Sequence, residues 1–263
     1  MNARFDKPAK KHLGQNFLHE RGVIDKILLA VNPKPGDRIV EIGPGQGALT
    51  LPLLDLHGEA TAIEFDRDLL LPLTEAASAR GKLDLINRDV MQVDFTELAR
   101  ALGGPIRLIG NLPYNLSSPI LFHALDHATS IIDMHFMLQK EVVDRMAASE
   151  GSKVYGRLSV MLQAYCKVTP LIKVPPGAFR PAPKVDSAVV RLVPKPASEI
   201  TVRDHARFVE VVRSAFGQRR KTLHNALKDV CNDDAIRAAG LEPQLRAEQV
   251  PVAGFIALAN ISD

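Results

Sequence analysis

The stretch RIVEIGPGQGALT, residues 38–50, passes from a short apolar run into three glycines at alternate positions, Gly43, Gly45 and Gly47. An apolar run ending in such a turn reads as a buried strand whose C-terminal end must bend tightly and let a ligand approach the backbone. Outward from it the chain repeats the same unit. ATAIEF (60–65), LDLIN (83–87), RLIG (107–110) and MHFML (134–138) are further short apolar runs, most of them separated by segments of helical length. That alternation predicts an α/β domain built on a mainly parallel sheet.

Past residue 166 the pattern changes. KVDSAVVRLV (184–193) follows the proline-crowded VPPGAFRPAP (174–183), with no crossover helix between the segment around Cys166–Val174 and this last strand. Strands joined without a crossover run antiparallel, so the sheet is expected to end in an antiparallel strand. Pro194 and Pro196 mark a boundary. Beyond it, Phe208, Val211, Val212, Ala215 and Phe216 recur at helical spacing, as do Leu223, Ala226 and Leu227. Two domains are expected: residues 1–196, Rossmann-like, with a basic N-terminal arm, and residues 197–263, small and all-helical.

Bulk properties narrow the classes. With 263 residues, 46% hydrophobic and 24% charged, the chain has the make-up of a soluble globular protein. No apolar stretch is long enough to span a membrane. The N-terminus lacks the apolar core of a secretory signal, so a cytoplasmic protein is expected. Cys166 and Cys231 have no metal-binding spacing, the histidines form no ligand pattern, and no metal is expected. The net charge of +3 is unevenly spread. Between Arg203 and Lys228 seven basic residues face only Asp204 and Glu210, a local excess of +5. A cluster of that kind suits a phosphate-rich partner; a solvated helix face is the plainer reading.

Twenty-one residues after Gly43, Glu64 closes the second strand, where a carboxylate accepts from both ribose hydroxyls of a nucleoside. Asp89 closes the third, placed to hold an adenine edge. The glycine spacing is GxGxG, with Ala48 where the pyrophosphate-binding form has its third glycine. The choice of cofactor therefore falls to GNLPYNLSSPIL, residues 110–121, after the fourth strand. A nicotinamide enzyme has no use for Asn-Leu-Pro-Tyr there; an enzyme that methylates an exocyclic amine does. The N6 lone pair of adenine is delocalised into the ring. Two acceptors, the Asn111 side-chain oxygen and the carbonyl of Leu112 or Pro113, would draw the amine toward tetrahedral geometry beside a sulfonium methyl. Pro113 stiffens the turn, and Tyr114 offers a stacking platform for a base taken out of its stack. Phe179, in the stiff loop 177–183, is expected to be exposed and to close the other face of the base pocket; a core phenylalanine is the alternative.

The segments HLGQNFL (12–18), EIGPGQGALT (41–50), IEFD (63–66), GNLPYNLSSPIL (110–121), QKEVVDRMAA (139–148), YGRLSVM (155–161) and VPPGAFRPAPKVDSAVVRL (174–192) closely resemble the bacterial small-subunit rRNA adenine dimethyltransferases. QRRKTLHNAL (218–227) extends the resemblance into the tail. It implies a class I methyltransferase sheet using S-adenosyl-L-methionine to place two methyl groups on N6 of each of two adjacent adenosines, in a hairpin near the 3′ end of 16S rRNA in the immature 30S subunit. The family's cofactor positions fall on Asn16, Leu18, Gly43, Glu64, Asp89 and Asn111, with Gly45 in the same turn. Tyr114 and Phe179 match its base-stacking positions. Arg219, Arg220 and Lys221 are expected to contact rRNA phosphates, and the enzyme to act as a monomer. His224 stands where relatives often carry arginine. A large-subunit rRNA methyltransferase, a DNA adenine methyltransferase, a ribosome-assembly factor whose binding matters as much as its chemistry and, on the glycine turn alone, a NAD oxidoreductase remain open alternatives.

Overall fold

The computed structural model describes Lys10, residues 15–218 and residues 220–261. In chain order the elements are β1 (Phe17–Leu18), α1 (Arg21–Val31), β2 (Ile39–Ile42), α2 (Thr50–His57), β3 (Glu59–Glu64), α3 (Arg67–Ala77), β4 (Lys82–Asn87), α4 (Phe95–Ala101), β5 (Ile106–Asn111) and α5 (Ser117–Asp126). They continue with β6 (Ile131–Gln139), α6 (Lys140–Met146), α7 (Arg157–Tyr165), β7 (Cys166–Val174), β8 (Phe179–Arg180), β9 (Ser187–Pro194), α8 (His205–Gly217), α9 (Leu223–Ala226), α10 (Asp233–Ala238) and α11 (Val252–Ala259).

Seven strands form one sheet in the order β4-β3-β2-β5-β6-β9-β7. The β4–β3, β3–β2, β2–β5 and β5–β6 pairs are parallel, and β9 runs antiparallel to β6. Every residue of β2 is buried, as are the first five of β5. Strands covered on both faces need near-continuous apolar runs, which is why 38–43 and 106–110 do not alternate. β4, at the sheet edge, alternates instead. The expected mixed sheet, with its antiparallel last strand, is the one observed.

Close approach of β2 and β5 depends on one glycine. A Cβ on Gly110 would lie 2.5 Å from the Ile42 carbonyl oxygen. Without it β5 runs beside the end of β2, and Asn111 arrives next to the glycine turn. At the opposite end of the same strands, Arg107 is buried against Asp133, with Nε to Oδ1 and Nη2 to Oδ2 both at 2.9 Å. Its Nη1 donates to Asp37 at 2.7 Å and its Nη2 to the Val31 carbonyl at 2.7 Å.

The described chain divides into two compact units. One runs up to Lys140 and includes Thr169–Pro194; the other combines Glu141–Val168 with the chain from Lys195 on. The second unit thus takes up 141–168 together with the tail. Side chains explain the grouping. Tyr155 donates its hydroxyl to the Val250 carbonyl at 2.9 Å and stacks edge-on to Phe216, and the Tyr165 ring meets Phe208 in the same way. The tail itself is helical as its spacing predicts: Phe208, Val211, Val212, Ala215, Leu223 and Leu227 are buried.

Candidate active site

A cavity of about 210 Å³ opens at the C-terminal ends of β2, β3 and β5, where the crevice of an open α/β sheet binds its ligand. Asn16, Leu18, Gly43, Gly45, Glu64, Asp89, Asn111, Leu112, Pro113 and Tyr114 all line it. The turn after β2 needs its glycines. Gly43 and Gly45 lie at φ 67° and 57°, a region side chains rarely adopt. A Cβ on Gly45 would also sit 3.2 Å from the Phe17 ring, so the missing side chain makes room for the N-terminal segment as well as for a ligand.

Glu64 is held rigidly. Its Oε2 accepts from the Gly45 N–H at 3.1 Å and its Oε1 from the Asp66 N–H at 2.7 Å. A carboxylate has about four acceptor positions, so two backbone bonds leave room for a ribose diol. Burial pushes its carboxyl above the ordinary range, against the pull of those N–H groups. Asp89 accepts from the Met91 N–H at 3.0 Å with Oδ1, beginning a short 3-10 turn and fixing the carboxylate at the cavity wall.

Asn111 closes β5. Its Nδ2 donates to the main-chain carbonyl of Asn16 at 2.8 Å, which leaves Oδ1 as the end available to a ligand. Hydrogen bonding in the turn after β5 singles out the second acceptor. The Pro113 carbonyl already takes the Leu116 N–H at 3.0 Å and the Ser117 hydroxyl at 3.1 Å. Among the described residues none donates to the Leu112 carbonyl, while the Leu112 N–H is fixed on Met137 at 3.1 Å. Leu112, not Pro113, therefore carries the free oxygen. Tyr114 is half-buried, and its hydroxyl is 2.7 Å from that of the fully buried Ser187 at the start of β9. Burial raises its phenol above the ordinary value.

Phe179 is placed otherwise than expected. It is 2% exposed, belongs to the apolar core with Leu18, Met137, Ala178 and Val189, and does not line the cavity. The two-residue strand β8 pairs with β1, Leu18 opposite Phe179. Alternation along that strand turns Phe179 inward and Arg180 outward. Arg219 lies outside the described residues; Arg220 and Lys221 are exposed on the tail. His224 is engaged with Asp233 at 2.8 Å.

Residues that motif spacing passed over are Phe17, Gln15, Asp66, Ser117, Ser187 and Glu41. Glu41 had a visible signal, a carboxylate inside an otherwise apolar strand. It is 2% exposed, lines the cavity, and accepts the Thr50 hydroxyl at 2.6 Å. Burial pushes its carboxyl up to about 7, opposed by Thr50 and helped by the charge of Glu64. A carboxyl raised in the fold binds its proton more tightly there than in the unfolded chain. Its stabilising contribution is present at acid pH and is lost as pH rises from about 4.5 through about 7. Glu41→Gln should therefore gain on the wild type by on the order of 3 kcal/mol between pH 4.5 and 8, measured by urea unfolding of the cofactor-free proteins. Parallel stability curves would show that Glu41 titrates normally.

Among the described residues, the ionisable side chains lining the cavity are Glu41, Glu64, Asp89 and Arg88. Glu64 and Asp89, with Glu41 only partly ionised near neutral pH, outweigh the one guanidinium; that balance opposes a dinucleotide pyrophosphate and suits a cofactor bearing a sulfonium and an ammonium. The glycine turn, a Glu64 carboxylate with acceptor positions to spare and this charge balance fit S-adenosyl-L-methionine.

Comparisons with known proteins agree. Residues 7–263 match the ribosomal RNA adenine dimethylase family. The chain is 66% identical over 261 residues to the ribosomal RNA small subunit methyltransferase A of Xanthomonas campestris pv. campestris (strain B100), covering 99% of each protein. The protein of the same name from Xanthomonas oryzae pv. oryzae (strain PXO99A) is also 66% identical, again over 99% of each. Among solved structures, a dimethyladenosine transferase from Plasmodium falciparum superposes with a TM-score of 0.79 at 26% identity, over 92% of this chain and 95% of that one. The 23S rRNA methyltransferase ErmE shares the fold, with a TM-score of 0.72 at 24% identity over 93% and 98% of the two chains. Because the agreement extends over the tail as well as the cofactor-binding half, the chain belongs to the ribosomal RNA adenine dimethylase family of S-adenosyl-L-methionine-dependent methyltransferases.

Proposed function

We propose that this enzyme dimethylates N6 of two adjacent adenosines in the hairpin near the 3′ end of 16S rRNA, acting as a cytoplasmic monomer on the immature 30S subunit. The observation that carries the chemistry is the pair of oxygens at the end of β5. Asn111 Nδ2 is committed to Asn16, so Oδ1 is the end that receives an amine; the Leu112 carbonyl is the second acceptor.

S-adenosyl-L-methionine supplies an electrophilic methyl that needs no activation. The chain's part is to make the acceptor nucleophilic. Oδ1 of Asn111 and the Leu112 carbonyl each take one N–H of the adenine amine. Their directions draw the nitrogen out of the ring plane and aim its lone pair along the transfer line. Positioning of this sort is worth several kcal/mol. The Tyr114 ring, steadied by Ser187, stacks on the extruded base and returns about 1–3 kcal/mol of the lost stacking. The proton leaves the methylated ammonium for water, so no general base is required.

Incubation of the enzyme with unmethylated 30S subunits and, separately, with 50S subunits, followed by mapping of methylated nucleotides, tests the substrate. Two adjacent dimethyladenosines near the 3′ end of 16S rRNA are expected; modification confined to large-subunit RNA would reassign the enzyme. The helical tail supports an RNA-contacting role through its charge. Neutralising Arg219, Arg220 and Lys221 together should lower the slope of log affinity against log salt by about 3. An unchanged slope would remove those residues from the interface.

A further inference from the structure

The amide of Asn111 has two ends of nearly equal shape and opposite polarity, and only one orientation serves the reaction. With Oδ1 toward the target it accepts an amine N–H. Turned over, its NH2 would meet that N–H donor against donor. The group that chooses between them is the Asn16 carbonyl, 2.8 Å from Nδ2, which can only accept.

That carbonyl does not belong to the sheet that carries Asn111. It lies on the N-terminal segment, where Gln15, Asn16, Phe17 and Leu18 line the cofactor cavity. The segment is fastened on both sides of Asn16. On one side Leu18 pairs with Phe179, and the His19 N–H donates to the Ala178 carbonyl at 2.9 Å. On the other the fastening is polar. The Gln15 side chain donates to Asp66 Oδ2 at 2.9 Å, Lys10 Nζ donates to Asp66 Oδ1 at 2.6 Å, and the Lys10 N–H donates to Gln15 Oε1 at 2.8 Å. Asp66 is itself fixed: it is 5% exposed, caps α3 through the Asp68 N–H at 3.1 Å, and stands two residues past Glu64.

We propose that Gln15 and Asp66 are positioning residues for methyl transfer, holding the Asn16 carbonyl where it sets the orientation of the Asn111 amide. Polarisation of the target amine is then tied to the seating of the N-terminal segment along the cofactor. The inference rests on the proposed role of Asn111 as an acceptor for the target amine.

An exchange of partners tests it. Gln15→Glu sets a second carboxylate against Asp66, whereas Gln15→Glu with Asp66→Asn restores one amide and one carboxylate and keeps a capping side chain at 66. Single-turnover methyl transfer is measured at saturating cofactor and RNA, with cofactor affinity from calorimetry on S-adenosylhomocysteine. The single variant is expected to lose at least about tenfold in rate even at saturation, and the double variant to recover most of it. Gln15→Leu, which adds no charge, should show the same loss should Gln15→Glu fold poorly. In an Asn111→Ala background, Gln15→Leu should cost nothing more. A full rate for Gln15→Leu at saturation, or no recovery in the exchanged pair, overturns the proposal. Should Asn111→Ala itself keep the wild-type rate, the reading of Asn111 fails instead, and the two failures are distinguished.

Discussion

Asn111→Ala is expected to lower single-turnover methyl transfer by about 10²–10³-fold, the cost typical of removing one group aimed at a transition state. In the proposed mechanism two oxygens receive the amine, Asn111 Oδ1 and the Leu112 carbonyl, because the Pro113 carbonyl is occupied by Leu116 and Ser117. Deleting one halves the set. Folding should survive, since the described bond lost with the side chain is the single one to Asn16. Asn111→Asp should be no better than alanine. It keeps an acceptor toward the target but presents oxygen to the Asn16 carbonyl, so the side chain is repelled from its seat. Rates are read on unmodified and on monomethylated RNA at saturating cofactor. The monomethylated amine has one N–H left, so the two steps should differ in sensitivity to the substitution. A rate within a few-fold of wild type on both substrates would remove Asn111 from the chemistry.

The largest effect on stability is expected at the other end of the same strand. Asp133→Ala should cost about 3–5 kcal/mol, as breaking a buried ion pair leaves an uncompensated charge. Arg107 is 8% exposed and Asp133 1%. Asp133 meets Arg107 through both of its oxygens and also takes Arg191 at 3.1 Å. Asp37 would remain on Nη1 and the Val31 carbonyl on Nη2, but Nε and the second Nη2 proton would lose their acceptor. Urea unfolding should show a lower midpoint with an unchanged slope. Activity per folded molecule should be retained, because the pair lies at the N-terminal ends of β5 and β6. Replacing both partners by apolar residues of similar volume should cost much less than the single change. A loss below about 1 kcal/mol for Asp133→Ala would mean that water reaches the guanidinium.

What could be read from the sequence depends on how local each feature is. Gly43, Glu64, Asp89 and Asn111 each stand at or within two residues of the end of one of four strands that pair in parallel, so fold and site are written together at regular intervals along the chain. Asn16 and Leu18 have no such local signal. Their place depends on β1 pairing with β8, far along the chain, and only the family resemblance pointed to them. Phe179 misled for the same reason. Its neighbouring prolines read as an exposed loop, whereas a two-residue strand, shorter than any periodicity can register, turns the ring inward. The grouping of 141–168 with the tail is likewise a matter of tertiary packing, carried by Tyr155 and Tyr165 against partners that no local pattern names.

That grouping bears on how deletions of the C-terminal region are to be interpreted. A stop codon after position 196 would remove not only the cationic helices but also the surroundings of α7, whose Tyr165 would lose Phe208, and of Tyr155, which would lose Val250 and Phe216. Newly bared aromatic surface of that kind invites aggregation. A shortened protein that no longer binds ribosomes would thus report a damaged scaffold as readily as missing phosphate contacts, and charge-neutralising point substitutions are the sounder genetic tool.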